Sequence, residues 1–277
     1  MLTDHLFQQP NRPDVFAATI GLSRSQWTSV PSTYKKHEAS EIMKKHRFDV
    51  MPIIEKDGSI NRYFRSEKWG DREQIIRSKI TEEDTLYYLT HIRDVLQVMG
   101  EHRKTYFFLE NETRILGLLT ITHLNARPVY LFLYHTLLYL ETEMSDWLKK
   151  VLGDEAVLRI LEELPGGDVE HGGLKQYRED RSSGIDNDIM EYLFLGDMFE
   201  IIRREQLYPH LSYKSLDQFE KHLRKLRQMR NTVAHPNRSL VNNIDSISEL
   251  WLSLQKLEEL LERLPAAHFE SIERREH

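Results

Sequence analysis

The sequence of 277 residues contains no cysteine, which excludes disulfide bonds, thiolate nucleophiles and zinc sites built from cysteine. It also lacks a long hydrophobic run. The most apolar stretch, from Val129 to Leu140, contains His135 and is much shorter than the roughly 20 residues needed to cross a bilayer. The first residues, MLTDHLFQQPNRPD, do not have the basic and then apolar layout of a signal peptide. We therefore expect a cytoplasmic protein with no membrane partner.

The positive and negative charges of the sequence nearly balance. There are 38 Lys and Arg residues against 44 Asp and Glu, which gives a net charge of −6, and 40% of the residues are hydrophobic. A chain of this composition folds into a globular protein and is neither disordered nor fibrous. Because the whole molecule is not a polycation, any binding to nucleic acid must come from a local basic patch. The length favours two domains.

A helix, a strand, a turn and a second strand are predicted twice in the first half of the chain. In the first copy these elements are EASEIMKKHRF, VMPII, a type I′ turn at Asp57-Gly58, and INRYF. About sixty residues later, ITEEDTLYYLTHIRDVLQVM reads as a helix capped by Thr81, followed by the strands TYFFLE and ILGLLTI around a turn at Asn111–Arg114. This is an internal repeat of a supersecondary unit. Residues 1–35 form an irregular lead-in.

The second half of the chain has helical periodicity. A long helix over Val129–Val151 is apolar almost all round, so it is buried or faces a partner chain. A short helix follows over Glu155–Leu164, and a glycine-rich loop is predicted over 165–187. Three further helices are DIMEYLFLGDMFEIIRRE, SLDQFEKHLRKLRQMRNTVAH and SISELWLSLQKLEELLERL. The predicted fold class is α+β, with an α/β domain over residues 1–127 and an all-α domain over 128–277.

The duplicated unit resembles a pair of CBS domains, through EIMKKHRFDVMPIIEKDGSI in the first copy and ILGLLTITHL in the second. The resemblance implies clefts that bind an adenine nucleotide as a regulatory ligand. It places nucleotide contacts at Thr120, at His123, which stands where the family has an acid, and at Glu67. Asn61 and Phe64 replace the family's glycine and hydroxyl residue in the first copy. Ligand sensing and a purely dimerising scaffold both remain open.

The sharpest motif is RNTVAHP, which runs from Arg230 to Pro236. An Arg, a polar residue and a His five positions after the Arg form the R-x4-H motif, and the helical context resembles a HEPN ribonuclease. Pro236 disfavours a helical conformation at His235, so the helix is expected to end there. An uninterrupted helix would instead separate positions 230 and 235 by about 140°. A helix end can bring the two side chains together.

These residue types suit RNA cleavage without a metal ion. The reaction must deprotonate the ribose 2′-OH, protonate the leaving 5′-oxygen and neutralise charge on phosphorus. Histidine exchanges protons near neutral pH, and the guanidinium of arginine is permanently charged and bidentate toward phosphate. We therefore predict that Arg230 and His235 are catalytic and that Asn231 orients His235 or a phosphate oxygen. The resemblance further implies a homodimer in which both protomers contribute to a composite site.

A basic stretch precedes the motif. Between Lys214 and Arg230 there are six Lys and Arg residues but only Asp217 and Glu220, a local charge of +4. The predicted RNA-binding residues are four cations of this stretch: Lys221, Arg224, Lys225 and Arg227. The alternative is a solvated helical face with ion pairs. On the preceding helix, Asp197 and Glu200 either support the motif or are ordinary surface carboxylates.

The sequence therefore predicts a metal-independent endoribonuclease of HEPN type with a CBS-like regulatory domain. The resemblance to proteins that join a sensor domain to a HEPN nuclease suggests a toxin that acts in stress or anti-phage defence. No cofactor or metal is required; the expected ligands are RNA and an adenine nucleotide. The alternative is a non-catalytic regulatory protein that binds RNA or protein through its helices and dimerises through its CBS-like part. The sequence leaves open the RNA substrate, the trigger, and the role of residues 1–35.

Overall fold

The computed structural model describes residues 13–69, 72–163 and 172–273. Contacts divide the chain into two compact units. The first unit runs to Phe132 and adds Ser239–Trp251; the second unit comprises Leu133–Arg238 and the chain from Leu252 onward. This division differs from the predicted boundary near residue 127, because the beginning of the last helix belongs to the first unit. There, Asn125 Nδ2 donates to the Val241 carbonyl oxygen (2.8 Å) and Ser248 Oγ donates to that of Gly100 (3.0 Å).

Two four-stranded sheets form the first unit. Their strands are β1 (Leu22–Ser23), β2 (Val30–Pro31), β3 (Val50–Ile54), β4 (Arg62–Trp69), β5 (Arg72–Lys79), β6 (Thr85–Tyr87), β7 (Tyr106–Asn111) and β8 (Arg114–Thr120). One sheet has the order β1-β8-β7-β6 and the other β2-β3-β4-β5. The predicted strands VMPII, TYFFLE and ILGLLTI are confirmed. Strand β5 was not predicted.

The strand order shows that the two copies exchange their leading strands. Strand β1 pairs antiparallel with β8, with Leu22 opposite Leu118, while β5 pairs antiparallel with β4, with Ile76 opposite Arg65. Each sheet also contains one parallel pair, β2 with β3 in one sheet and β6 with β7 in the other. The duplication is therefore structural, and each copy completes the sheet of the other.

The helices of the first unit begin with α1 (Ala17–Ile20), α2 (Lys36–His46) and α3 (Ile92–His102). Helices α2 and α3 occupy equivalent places in the two copies, and each ends at an arginine in the left-handed region, Arg47 (φ 57°) and Arg103 (φ 51°). Buried side chains from both sheets, among them Tyr63 and Phe108, form a shared core.

Two local predictions in the first unit were wrong. Thr81 does not start a long helix: it forms a capping box with Asp84 around a 3-10 turn at Glu82–Asp84, β6 follows, and α3 is capped by His91. The hairpin turn is not type I′, because of its residues only Gly58 has a positive φ (79°). The Glu55 N–H donates to the Ser59 carbonyl oxygen (2.9 Å) and the Gly58 N–H to that of Glu55 (2.9 Å), which makes this a three-residue turn that ends at a glycine bulge.

The remaining helices are α4 (Arg127–Leu152), α5 (Asp154–Glu163), α6 (Gly172–Ser182), α7 (Leu195–Arg204), α8 (Leu216–Val233) and α9 (Ile244–Glu273). The long apolar helix and the last two helices are confirmed. Helix α4 buries most of its apolar residues, but Leu131, Tyr134 and Leu138 on one of its faces are exposed. Within the described residues, no helix is long and apolar enough to span a membrane.

Two predictions in this half were corrected by the structure. Part of the glycine-rich loop is helix α6: a Cβ at Gly173 would overlap the carbonyl oxygen of Tyr192, so this glycine permits close packing. The glycines at 166 and 167, with Pro165, lie outside the described residues. The predicted helix DIMEYLFLGDMFEIIRRE is divided into a 3-10 turn at Ile189–Tyr192 and helix α7.

Candidate functional site

The predicted catalytic residues lie at the end of α8, in the second unit. Ser215 caps the start of this helix by accepting the Gln218 N–H (3.2 Å), and the helix ends at Val233 as Pro236 predicts. The Ala234 N–H donates to the Arg230 carbonyl oxygen, four residues earlier, as in an α-helix (2.9 Å). The His235 N–H instead donates to the Thr232 carbonyl oxygen, three residues earlier (3.2 Å). The helix thus ends at Val233, and His235 lies just outside it, next to Ala234, whose N–H is bonded to Arg230.

The three residues of the motif differ in exposure. Arg230 is half-buried, whereas Asn231 and His235 are exposed. The imidazole and the amide are therefore open to a ligand from solvent, while the arginine is restrained at the edge of the core.

Glu141 of α4 interacts electrostatically with Arg230. Burial raises the pKa of Glu141, and Asp197 raises it further; the Arg230 guanidinium and the backbone N–H of Leu195 act in the opposite direction. Glu141 is half-buried. Sequence reasoning missed this residue, although a single acid directly after the apolar run of α4 was a usable signal.

The beginning of α7 completes this cluster. Asp197 is 8% exposed and its Oδ2 accepts the Phe194 N–H (2.8 Å), while the Leu195 N–H is bonded to Glu141. Asp197 is thus a buried helix cap rather than a surface carboxylate, whereas Glu200 pairs with Arg203 at the surface. Glu141 of α4 is thus influenced by a backbone N–H of α7 and by the charge of a residue of α8.

The predicted RNA-binding residues do not share one face of α8. At about 100° per residue, Arg227 lies about 60° from Arg230 around the helix axis, but Lys225 lies about 140° from it. The Arg227 guanidinium stands over the Phe199 ring of α7 (5.8 Å), and Arg224 is exposed. Lys221 and Lys225 instead line a groove between α8 and α9. The basic stretch is therefore divided between the two flanks of the helix.

The groove between α8 and α9 has a volume of about 320 Å³. His222 is buried beside it and contacts the Tyr213 hydroxyl through Nδ1 (2.8 Å) and the Lys256 carbonyl oxygen through Nε2 (2.7 Å). Burial lowers the pKa of His222 to about 4. Since both ring nitrogens are hydrogen-bonded, His222 is a structural residue.

Thr120 and His123, predicted to contact a nucleotide, lie together in the first unit. Strand β8 ends at Thr120, and His123 Nδ1 accepts the Thr120 N–H (3.0 Å) at the start of a 3-10 turn. Burial lowers the pKa of His123. Both residues line a cleft of about 190 Å³ together with Arg47 and Tyr106.

Glu67 does not lie at an equivalent place in the first copy. Strand β8 ends at Thr120, but strand β4 continues past Phe64, which stands in the place of the hydroxyl residue, as far as Trp69. Phe64 is 1% exposed and belongs to the core. Glu67 stands within the strand and forms an ion pair with Arg65 (2.6 Å). The prediction of a nucleotide contact at Glu67 is therefore not supported by its position. Among the described residues, no cluster of three or more His, Asp or Glu side chains could hold a metal ion.

The chain matches no protein-family model and no curated protein. Among solved structures it is similar to a conserved protein from Pyrococcus horikoshii, at 24% identity over 35% of this chain and 81% of that chain (TM-score 0.30). It is also similar to the CBS domain pair of protein MJ0100 in complex with 5-methylthioadenosine and S-adenosyl-L-methionine, at 16% identity over 40% of this chain and 96% of that chain (TM-score 0.30). Such low scores carry no argument, and the duplicated architecture rests on the strand order itself.

Proposed function

We propose that the second unit is a metal-independent endoribonuclease whose reacting groups are Arg230, Asn231 and His235. The observation that supports this most is the end of α8. It presents the exposed imidazole of His235 and the exposed amide of Asn231 at the same helix end as the half-buried Arg230. A purely structural helix end has no need of this combination.

The reaction follows from the chemistry of these groups. A neutral His235 accepts the proton of the ribose 2′-OH, and the 2′-oxygen attacks the adjacent phosphorus. The P–O2′ bond forms and the P–O5′ bond breaks, while the His235 imidazolium of a second protomer donates a proton to the leaving 5′-oxygen. Arg230 neutralises the charge that develops on the non-bridging oxygens, and Asn231 donates a hydrogen bond to one of them. The products are a 2′,3′-cyclic phosphate and a 5′-hydroxyl.

Glu141 is a positioning residue in this scheme. An arginine side chain loses up to about 2 kcal/mol of conformational entropy when it is fixed. The Glu141 carboxylate interacts electrostatically with the guanidinium, and we infer that this attraction limits the freedom of the arginine before RNA binds. Part of the conformational entropy of the arginine side chain is then lost during folding rather than when RNA binds.

A homodimer supplies the second histidine that the reaction requires. Leu131, Tyr134 and Leu138 are spaced by three and four residues along α4, so they form one exposed apolar face of that helix. Such a face is typical of a helix that packs against a second copy of the chain.

The first unit is proposed to bind an adenine nucleotide and to regulate the second. Its cleft combines the hydroxyl of Thr120, the neutral ring of His123 and the cation of Arg47, which suits a phosphorylated ligand. Calorimetric titration with AMP and ATP tests this proposal. We expect Thr120→Ala and His123→Ala to weaken binding and Glu67→Gln to leave it unchanged; binding unaffected by the first two would contradict the assignment.

Cleavage of mixed cellular RNA in the presence of EDTA tests the ribonuclease proposal. We expect the wild-type protein to cleave and His235→Ala to reduce the rate by about 10²- to 10⁴-fold, the range of general acid–base catalysis. Arg230→Ala should reduce it by about 10²- to 10³-fold, the range for loss of one group that stabilises the developing charge. Lys175→Ala, which removes an exposed lysine of α6, is the matched control and should retain most activity. No cleavage by any variant, with or without adenine nucleotide, would end the enzyme hypothesis.

A second candidate is a non-catalytic RNA- or protein-binding regulator with a dimerising first unit. The buried Phe64 and the ion-paired Glu67 favour it, because the first copy keeps no ribose-binding arrangement. RNA binding without cleavage in the same assay would select this candidate.

A further inference from the structure

The groove between α8 and α9 brings together basic side chains from two helices of the second unit. Four cations line it: Lys221 and Lys225 of α8, and Lys256 and Arg263 of α9. The single carboxylate among the lining residues is that of Glu259, so the groove has a local charge of +3 in a chain whose net charge is −6. Positive charge concentrated in a cleft attracts an anionic ligand.

The cations of α9 are restrained by their neighbours. Glu259 forms ion pairs with Lys256 (2.7 Å) and Arg263 (3.8 Å), and the Arg263 guanidinium stands over the Tyr213 ring (4.5 Å). An arginine restrained in this way loses less entropy when it binds a ligand. Tyr213 is only 3% exposed, so its ring has no open face on which a base could stack. This side of the groove therefore suits a charged group rather than an aromatic ring.

The cations of α8 have no such restraint. Lys221 and Lys225 lie one helical turn apart and form no ion pair with the residues that the structure describes. A lysine binds phosphate as a compact, mobile point charge. Two unpaired lysines facing a restrained arginine across one groove suit a ligand that carries several phosphates in a row.

The groove is separate from the R-x4-H motif. Lys221 lies about 180° from Arg230 around the axis of α8 and roughly 13 Å from it along the axis, and Lys225 lies about 140° away. The groove therefore opens on the flank of α8 that faces away from Arg230. A strand bound in the groove does not compete for Arg230.

We propose that the groove between α8 and α9 binds the sugar–phosphate backbone of single-stranded RNA, outside the cleavage site. The proposal rests on the proposed function, which supplies the identity of the polyanion. Contacts to phosphates position a strand without reading its sequence. An acidic peptide is the less favoured occupant: a docked helix needs a row of apolar anchors, and Leu252 is the only exposed apolar side chain among the described residues that line the groove.

The test measures binding of an RNA that cannot react. A short single-stranded oligonucleotide with 2′-O-methyl groups at every position lacks the attacking hydroxyl, and a fluorescent label on it reports binding by anisotropy. We expect Lys221→Ala/Lys225→Ala to bind more weakly than the wild type. The slope of log affinity against log salt concentration should become shallower by about 1.4, because each phosphate contact to a single strand contributes about 0.7.

Two further variants separate a local contact from an effect of net charge. Lys221→Arg/Lys225→Arg keeps both charges and should bind as the wild type does. Lys44→Ala/Lys45→Ala removes two exposed lysines of α2 and should keep the wild-type slope. An equal loss of slope in this control would overturn the groove as a binding site. Equal thermal unfolding temperatures of Lys221→Ala/Lys225→Ala and the wild type would show that weaker binding is not a loss of fold.

Failure of this proposal is distinct from failure of the proposed function. Wild-type affinity and slope in Lys221→Ala/Lys225→Ala would overturn the groove site, even if His235→Ala abolishes cleavage of unmodified RNA. Weaker binding by this variant of a protein that never cleaves would support the groove site and end the enzyme hypothesis. A wild-type protein that binds labelled polyglutamate but not the oligonucleotide would make the groove a peptide site and overturn the proposal.

Discussion

At the scale of single residues, the charge of Arg230 is coupled to that of Glu141. The acid is half-buried, and desolvation raises its pKa above the ordinary value of 4.5. The guanidinium acts against this rise. The charge of this arginine therefore favours the ionised form of Glu141.

The first prediction follows from this coupling. Arg230→Ala removes a positive charge that favours ionised Glu141, so the pKa of Glu141 should rise further. NMR titration of side-chain carboxyl ¹³C signals, assigned with Glu141→Gln, measures the shift. An unchanged pKa in Arg230→Ala would show that the two side chains do not interact in solution.

Glu141 also affects stability as pH changes. Its pKa is raised in the folded state, so the folded protein binds more protons than the unfolded chain just above pH 4.5. The contribution of Glu141 to stability is therefore lost as pH rises from 4.5 through its folded pKa. Compared with Glu141→Gln, the wild type should become relatively less stable over this window in urea unfolding; the opposite trend would contradict the assigned shift.

His222 predicts the reverse dependence. Its pKa is lowered to about 4 by burial, from 6.5, so its contribution to stability is fully present above pH 6.5 and is lost as pH falls toward 4. The upper limit of this loss is about 1.4 kcal/mol per pH unit. Urea unfolding of the wild type and His222→Gln at several pH values should show the wild type losing its advantage below pH 6.5. A constant difference between the two proteins would show that His222 titrates normally.

At the scale of elements, the exchanged strands depend on one close approach. A Cβ at Gly117 would lie 2.6 Å from the Leu22 carbonyl oxygen, where β8 pairs with β1. Gly117→Ala should therefore lower the free energy of unfolding by about 1 to 3 kcal/mol. Gly196→Ala is the matched control: no atom lies within 4 Å of its Cβ, and alanine in helix α7 should stabilise by up to about 1 kcal/mol. Equal effects in urea unfolding would argue against the strand exchange.

Local periodicity predicted the elements whose pattern is contained within them. Helices α2, α8 and α9 and strands β3, β7 and β8 have regular apolar spacing, and Pro236 marked the end of α8. The exchange of β1 and β5 could not be read in this way, because a strand's partner lies far away in sequence. The helix predicted from Thr81 failed because a capping box closes a single turn as well as it starts a helix.

The candidate site was predicted in part for the same reason. Arg230, Asn231 and His235 are neighbours in sequence, so their spacing was visible. Glu141 interacts electrostatically with Arg230 from a distant part of the sequence, and no local pattern encodes such a pairing. The basic stretch was a poor guide, because Lys221 and Lys225 lie on one flank of α8 while Arg227 and Arg230 lie on another.

At the scale of the whole molecule, the proposed chemistry requires two copies of the chain, because the reaction uses two His235 side chains and each chain has one. We expect a dimer at micromolar concentration in light scattering. Leu138→Glu places a charge on the exposed apolar face of α4 and should yield monomers with little cleavage activity. Ser182→Glu, at an exposed position of α6, is a control for added charge. A wild-type monomer that cleaves RNA would exclude the composite site.

The ends of the cleaved RNA test the central claim most directly. A defined single-stranded oligonucleotide is incubated in EDTA with wild-type protein and with His235→Ala, and the fragments are weighed by mass spectrometry. Attack by the 2′-oxygen predicts a 2′,3′-cyclic phosphate on one fragment and a 5′-hydroxyl on the other, with both absent in His235→Ala. Fragments that carry a 5′-phosphate and a 3′-hydroxyl, or cleavage that persists in His235→Ala, would contradict the account.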